Sequence, residues 1–190
     1  EYMKEMKSWL KTGSFNEKDE YYTPSILVKP ILEYAKGVVW CPFDTQDSEF
    51  VILLQEAGHK VITTHIWNGQ DFFFYEPTEH YDCIISNPPF TRKLEVLKRL
   101  YELGKPFAMI LGLPILNYQE VGAFFLDKEL QLLIVDKKVS FDGNTASFNN
   151  SYFCYKMLPR DIIFAHLSNN NSKKHFIKSR LTPTLVSITK

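Results

Sequence analysis

The stretch Asp82-Cys83-Ile84-Ile85-Ser86-Asn87-Pro88-Pro89-Phe90 is an apolar run that ends abruptly in an amide, two prolines and an aromatic ring. A continuous apolar run bounded by turn formers suits a strand in the middle of a parallel sheet, so Cys83 to Ser86 are expected to be a short buried strand. Asn87 then stands at its carboxyl end, where open α/β sheets bind ligands. The two prolines fix φ and remove two amide donors, and the chain leaves the strand in a rigid, extended turn. Three groups are thereby preset: the Asn87 amide, the Pro88 carbonyl and the Phe90 ring. They suit one task, accepting hydrogen bonds from an exocyclic amino group while an aromatic face stacks on the planar ring that carries it.

The tetrapeptide Asn87-Pro88-Pro89-Phe90 resembles the hallmark of the amino-methyltransferases of the class I S-adenosylmethionine (SAM) fold, Asn/Asp/Ser-Pro-Pro-Tyr/Phe/Trp. Most known members with this signature methylate adenine at the 6-amino group, some cytosine at the 4-amino group, and a few a protein glutamine amide. The resemblance implies a Rossmann-like α/β fold: a mostly parallel seven-stranded sheet, helices on both faces and a C-terminal antiparallel hairpin. It covers roughly residues 20 to 167. It also implies that Asn87, Pro88, Pro89 and Phe90 form the catalytic turn.

Upstream, three further elements appear in the family's order. Thr23 and Pro24 open a helical segment from Ser25 to Lys36, Thr23 reading as an N-cap and Pro24 as a first-turn residue. Tyr22-Thr23-Pro24 also looks like the family's N-terminal SAM-contacting motif. Gly37 to Cys41 read as the first strand, followed by Pro42-Phe43-Asp44 and a helical stretch from Asp47 to Ala57 that ends at Gly58. This is the place of the family's cofactor loop, from which the chain departs: no glycine follows Phe43 to let the backbone approach the cofactor. Asp44 either accepts from the ammonium of SAM or, like Asp47, caps the helix. Lys60 to His65 read as the second strand. At its end Thr64 or His65 stands where the family places an acidic residue for the ribose hydroxyls. Gly69-Gln70-Asp71-Phe72-Phe73 resembles the adenine-contacting element, Asp71 taking the exocyclic amine of SAM and Phe72 packing on its ring. A turn aspartate before a core strand is the plainer reading. By this count the strand before Asn87 is the fourth.

Downstream, Lys93 to Leu103 carry Leu94, Leu97 and Leu100 on one helical face and end at Gly104. Arg92 and Lys93 lie beside the proposed turn and could meet a phosphate, or simply form a solvated face. Phe107 to Leu111 read as the fifth strand, Pro114 to Phe125 as helical in part, and Leu130 to Val135 as another strand. Ser151 to Met157 and Asp161 to His166 are expected to close the sheet as an antiparallel pair joined around Pro159-Arg160. In the family this hairpin and its loop line the target-base pocket, which makes Phe141, Phe148 and Asn149 substrate-binding candidates beside Phe90, Arg92 and Lys93.

Three parts are expected: an N-terminal helix and linker over 1–19, with Met3, Met6 and Leu10 at helical spacing, the methyltransferase domain over 20–167, and a polar, basic tail over 168–190. Natural residues before Glu1 are expected, since the chain does not open on methionine. Lysine plus arginine and aspartate plus glutamate each number 22, so no overall positive field draws the protein to a polyanion and any nucleic-acid contact is local. Cys41, Cys83 and Cys154 lie apart in apolar stretches, without the spacing of a metal site or disulfide frame, as in a reduced cytoplasmic protein. No apolar run approaches a membrane span and no signal-peptide pattern is present.

The expected function is SAM-dependent methylation of an exocyclic amine, adenine N6 in DNA being first by family habit. The expected partners are DNA and, because the chain is short for a separate target-recognition domain, a further subunit. RNA adenine, a glutamine amide and a small molecule are alternative acceptors. A non-catalytic SAM-fold module is the alternative from another class, suggested by the glycine-free loop.

Overall fold

The computed structural model describes residues 23–140 and 147–167; the helix expected over 2–11, Tyr22, Phe141 and the tail from 168 lie outside them. Strand β1, Val38–Cys41, turns Val39 and Cys41 toward one apolar cluster and Trp40 toward another, all three fully buried. The same alternation recurs in β3, Cys83–Ser86, where Cys83 and Ile85 oppose Ile84, and in β4, Phe107–Gly112, where Ala108 and Ile110 oppose Phe107, Met109 and Leu111. In β8, Asn150–Tyr155, Tyr152 and Cys154 oppose Phe153. A strand that must be apolar on both faces reads as a continuous run, the pattern that marks a sheet covered on both sides.

Helices supply the two covers. The helix α1, Ser25–Leu32, brings Leu27, Val28 and Ile31 to the first cluster, and α2, Glu49–Glu56, adds Phe50, Val51 and Leu54. On the other face α3, Lys93–Leu103, inserts Val96, Leu97 and Leu100, and the shorter α4, Gln119–Phe124, adds Val121. Gly104 closes α3 in the left-handed region at φ 66°, as the sequence foretold. The α2 N-cap is Ser48, whose hydroxyl accepts from Val51 N–H at 3.3 Å, so neither Asp44 nor Asp47 caps it. Thr23 does not cap α1 either: Pro24 holds that position, with no side-chain cap bond.

The main sheet has seven strands in the order β2-β1-β3-β4-β8-β5-β9, with β2 at Lys60–Thr63, β5 at Gln131–Val135 and β9 at Ile162–Ala165. Pairing is parallel except that β8 runs antiparallel to both β4 and β5. A separate two-stranded ribbon joins β6, Val139–Ser140, to β7, Ser147–Phe148. All three cysteines are buried and free, and among the described residues no helix is long and apolar enough to cross a membrane.

Two expectations are corrected. Among the described residues no strand lies between Thr63 and Cys83, so the strand before Asn87 is the third, and β2 is an edge. Asp71 explains the missing strand. Its carboxylate accepts from Phe73 N–H at 3.0 Å and its carbonyl from Phe74 and Tyr75 N–H at 2.9 and 2.8 Å, satisfying locally the groups a ladder would have used. The second correction concerns the closing pair. β8 and β9 point in opposite directions but do not pair, because β5 lies between them. The Gln131 side chain fixes that arrangement: its oxygen accepts from Met157 and Leu158 N–H, each at 3.0 Å, and its amide donates to Leu158 O at 2.8 Å. The connection after β8 is thus held across the start of β5, and the chain enters the sheet on the far side.

Candidate functional site

The carboxyl ends of β1, β2 and β3 lie side by side, and the candidate residues cluster there. Asn87 follows β3 directly. Its amide Nδ2 donates to Thr23 Oγ1 at 3.1 Å, across 64 residues of sequence. Asn87 Oδ1 is buried with no hydrogen-bond partner among the described residues. Leaving such an acceptor unpaired costs about 1–3 kcal/mol, a cost that native structures normally avoid. The Thr-Pro element and the Asn-Pro-Pro element are therefore one structural unit: Thr23, itself buried, aims the amide that the turn carries. Pro88 is buried, Pro89 is half-buried with extended backbone, and Phe90 begins a short 3-10 turn over Phe90–Arg92. The Phe90 and Phe148 rings are not among the described side chains.

Asp44 stands beside this turn on the loop after β1. It is buried, and its Oδ2 accepts a short hydrogen bond from the hydroxyl of Ser86, the last residue of β3. Burial pushes its carboxyl up to about 6, against the lowering pull of hydrogen bonds from Ser86 and Ser48. A buried carboxylate held by hydroxyls alone would gain from an adjacent cation.

The glycine-free loop after β1, where the cofactor loop was expected, is described throughout. Among the described residues positive φ occurs at Lys156 and at Gly37, Gly58, Gly69 and Gly104, none of them in the loop from Pro42 to Ser48. The turn is closed by Ser48 N–H to Thr45 O at 3.1 Å and by a short bond from the Thr45 hydroxyl to Asp47, and Gln46 Nε2 ties it to Thr63 Oγ1 at 2.7 Å. The turn thus closes without a left-handed residue, so the missing glycines leave no strained backbone. Pro42 is buried. The Phe43 ring packs at 4.9 Å on Phe72, which in turn lies 5.6 Å from Trp40.

At the end of β2, Thr64 Oγ1 accepts from the Trp40 indole at 2.9 Å, so Thr64 is committed to the core, and His65, which follows it, is also buried. His65 caps a 3-10 turn over Ile66–Asn68, its Nδ1 accepting from Trp67 N–H at 3.3 Å. Burial lowers its pKa, so the ring is neutral with the proton on Nε2, a donor. Asp71 Oδ2 has no hydrogen bond among the described residues, and the carboxylate is half-exposed beside this turn. Phe72 is 2% exposed and belongs to the core; its neighbour Phe73 is half-buried. Arg92 lays its guanidinium over the Phe73 ring at 3.8 Å and reaches Glu95 at 4.0 Å, while Lys93 opens α3. Asn149 is exposed and stands apart, ahead of β8 and two strands along the sheet from Asn87.

One residue was missed in the sequence. Ser86 looked like the end of an apolar strand, yet it holds Asp44; the signal was its inward position next to Asn87. Thr23 was expected as a cap and within the SAM-contacting element, and only the three-dimensional structure shows its bond to Asn87. Among the described residues there is no group of three or more histidine, cysteine, aspartate or glutamate side chains that could hold a metal.

No family model matches the chain, and no curated protein matches it. Among solved structures it is similar to a protein from Listeria monocytogenes assigned as a class I S-adenosylmethionine-dependent methyltransferase, at 11% identity and a TM-score of 0.47, covering 86% of this chain and 73% of that one. It is also similar to a modification subunit assigned to a type I restriction enzyme of Vibrio vulnificus, at 14% identity and TM-score 0.45, covering 93% of this chain and 53% of that one. A Thermoplasma acidophilum protein assigned as a methyltransferase matches at 13% identity and TM-score 0.38, over 77% of this chain and 68% of that one. These are distant likenesses. The fold is read from the sheet itself, whose parallel strands with one antiparallel insertion form the Rossmann-like topology of class I methyltransferases.

Proposed function

We propose that the chain methylates an exocyclic amino group with SAM as donor, the acceptor being N6 of adenine in DNA. The observation that supports it most is the Asn87 amide, aimed by Thr23 and left with a buried, unpartnered oxygen at the carboxyl end of β3. An amine with two hydrogens is the group that such an oxygen and the neighbouring Pro88 carbonyl would satisfy together.

The residues present fit the donor. Asp44 would take its ammonium, relieving the cost of a buried carboxylate without a cation. His65 would stand beside a ribose hydroxyl, and Asp71 Oδ2 would accept from the adenine amine. When bound, SAM supplies an electrophilic methyl group on a sulfonium.

The chain's own contribution is positioning. Asn87 Oδ1 and Pro88 O accept the two amine hydrogens, which draws the nitrogen lone pair out of conjugation with the ring and directs it away from the turn. As the N–C bond forms and the S–C bond breaks, those acceptors hold the increasingly acidic N–H groups, and one proton then leaves to solvent. No covalent enzyme intermediate is needed, and the three buried thiols take no part. In a duplex the adenine must first be flipped out, at a cost of a few kcal/mol.

The test is transfer of labelled methyl from SAM to DNA, RNA and protein in parallel, followed by digestion of the product. Label at adenine N6 in DNA is the expected result. Label in RNA or at glutamine would keep the chemistry and replace the substrate, and no transfer to any acceptor, with SAM still bound, would leave a binding module.

A further inference from the structure

The two halves of the candidate site meet at one buried hydroxyl. Ser86 is fully buried at the end of β3, and the residue after it is Asn87. Its hydroxyl donates to Asp44 Oδ2, 42 residues away on the loop after β1. A serine hydroxyl has a single proton to give, and here the carboxylate receives it. Asn87 meanwhile gives its amide N–H to Thr23. The groups assigned to the methyl donor and to the acceptor amine are thus anchored on consecutive residues, ~3.8 Å apart along the backbone.

The surroundings of Asp44 offer it hydroxyls and no positive charge. Ser86 and Ser48 hold the carboxylate. Ser48 also accepts from Val51 N–H as the cap of α2, a duty that Ser86, at a strand end, does not have. Two titratable groups lie in the field of Asp44, Cys41 of β1 and Tyr152 of β8, and burial pushes both well above their ordinary values, so both are neutral near pH 7. His65 at the end of β2 is kept neutral by burial as well. The loop and α2 add only Asp47, exposed and bonded by the Thr45 hydroxyl, and Glu49 in the first helical turn.

The charge state of Asp44 decides whether it can anchor a cation. A protonated carboxyl is neutral and a poor partner for an ammonium, and burial by itself favours that form. A hydroxyl aimed at one oxygen favours the anion and fixes its orientation through a charge-assisted bond. Resting on the proposed function, we propose that Ser86 is a positioning residue of the donor site, its hydroxyl holding the Asp44 carboxylate charged and oriented for the ammonium of SAM. The serine before Asn87 then serves both halves of the site: its side chain sets the anchor of the donor, and its backbone carries that of the acceptor.

The test is SAM affinity by calorimetry across pH for the full chain, wild type against Ser86→Ala, with methylthioadenosine, which lacks the ammonium, as the control ligand. SAM binds the ionised form of Asp44, so wild-type affinity should be full above the carboxyl's pKa and fall as pH drops through about 6. In Ser86→Ala that fall should begin about one pH unit higher, leaving SAM about fivefold weaker at pH 6 and within about twofold of wild type at pH 8.5. Methylthioadenosine should bind both proteins alike at every pH. Ser86→Cys keeps the volume with a weaker donor and carries the test where the alanine variant folds poorly; its profile should lie between the two. In the ligand-free protein the Asp44 carboxyl carbon, followed by NMR, should titrate at correspondingly higher pH in the variants. An unmoved Asp44 titration, a SAM profile with the wild-type midpoint, or parallel losses for SAM and methylthioadenosine would each overturn the role. Wild type binding neither ligand would sink the proposed function and this role with it, whereas intact binding with an unmoved profile would sink the role alone.

Discussion

Two aspartates at opposite ends of the same sheet have opposite fates. Asp82, at the amino end of β3, accepts from Val38 N–H at 2.7 Å and pairs with the His80 ring at 2.9 Å, and first the Val38 bond, then the His80 bond, pulls its carboxyl below the usual range. Asp44, at the carboxyl end of β1, is buried among hydroxyls and pushed up to about 6. Among the described residues, one end of the sheet is closed by satisfied polar groups, and the other keeps a carboxylate without a cation and an amide oxygen without a donor. On the proposed function, the first end holds the fold and the second is where a ligand would complete the unmet polar groups.

The sharpest way to break this contrast is Asn87→Ala. Methyl transfer should fall by about 10²–10³-fold, the order seen when a single positioned hydrogen-bonding group is removed from a reacting centre. SAM affinity by calorimetry should stay within a few-fold of wild type. Full activity would show that the unpartnered oxygen does no chemistry.

Next in size is Asp44→Asn. A folded-state pKa above the unfolded one means the native protein binds the extra proton, so stability falls as pH rises from about 4 to about 6 and stays lower above that. Removing the carboxylate should raise the stability of the ligand-free protein by up to ~3 kcal/mol at pH 8, a gain that fades as pH falls through that window. The same variant should bind SAM more weakly. Thermal melts across pH, paired with calorimetry, give both readings; a variant that melts lower at pH 8 would contradict the assignment.

At the closed end, Gly37→Ala should cost stability with no gain anywhere. Gly37 sits at φ 53°, and a Cβ there would come within 1.9 Å of Asp82 Oδ2, the atom that accepts from Val38. A loss of roughly 2 kcal/mol in chemical denaturation is expected from the strained backbone, with SAM affinity unchanged. The smallest effect belongs to Thr23→Val, which keeps the shape and removes the acceptor for Asn87 Nδ2. A five- to tenfold drop in turnover, about 1 kcal/mol, with SAM binding intact would identify Thr23 as a positioning residue.

Much of this was legible beforehand, because local chemistry dictated it. The run from Cys83 to Ser86 could only be a doubly covered strand, Pro88 and Pro89 could only leave it extended, and Gly104 could only stop α3. Three readings failed, two of them because the deciding partner lay far along the chain. Thr23 carries the same signature as any N-cap, and its bond to Asn87 spans 64 residues. The turn at Asp71 satisfied its own backbone where a strand was expected. The Gln131 amide carried the connection from β8 across β5, whereas a short link with Pro159-Arg160 reads as a hairpin.

The amino-acid sequence alone determined the layered α/β class, the apolar faces and the chemistry available at Asn87, since periodicity and proline geometry act within a few residues. Only the tertiary structure decided which end of the sheet is closed, that Thr23 and Asn87 are partners, and that Asp44 is buried against Ser86. Those outcomes depend on which distant groups meet out of water, and a pattern along the chain carries no record of desolvation.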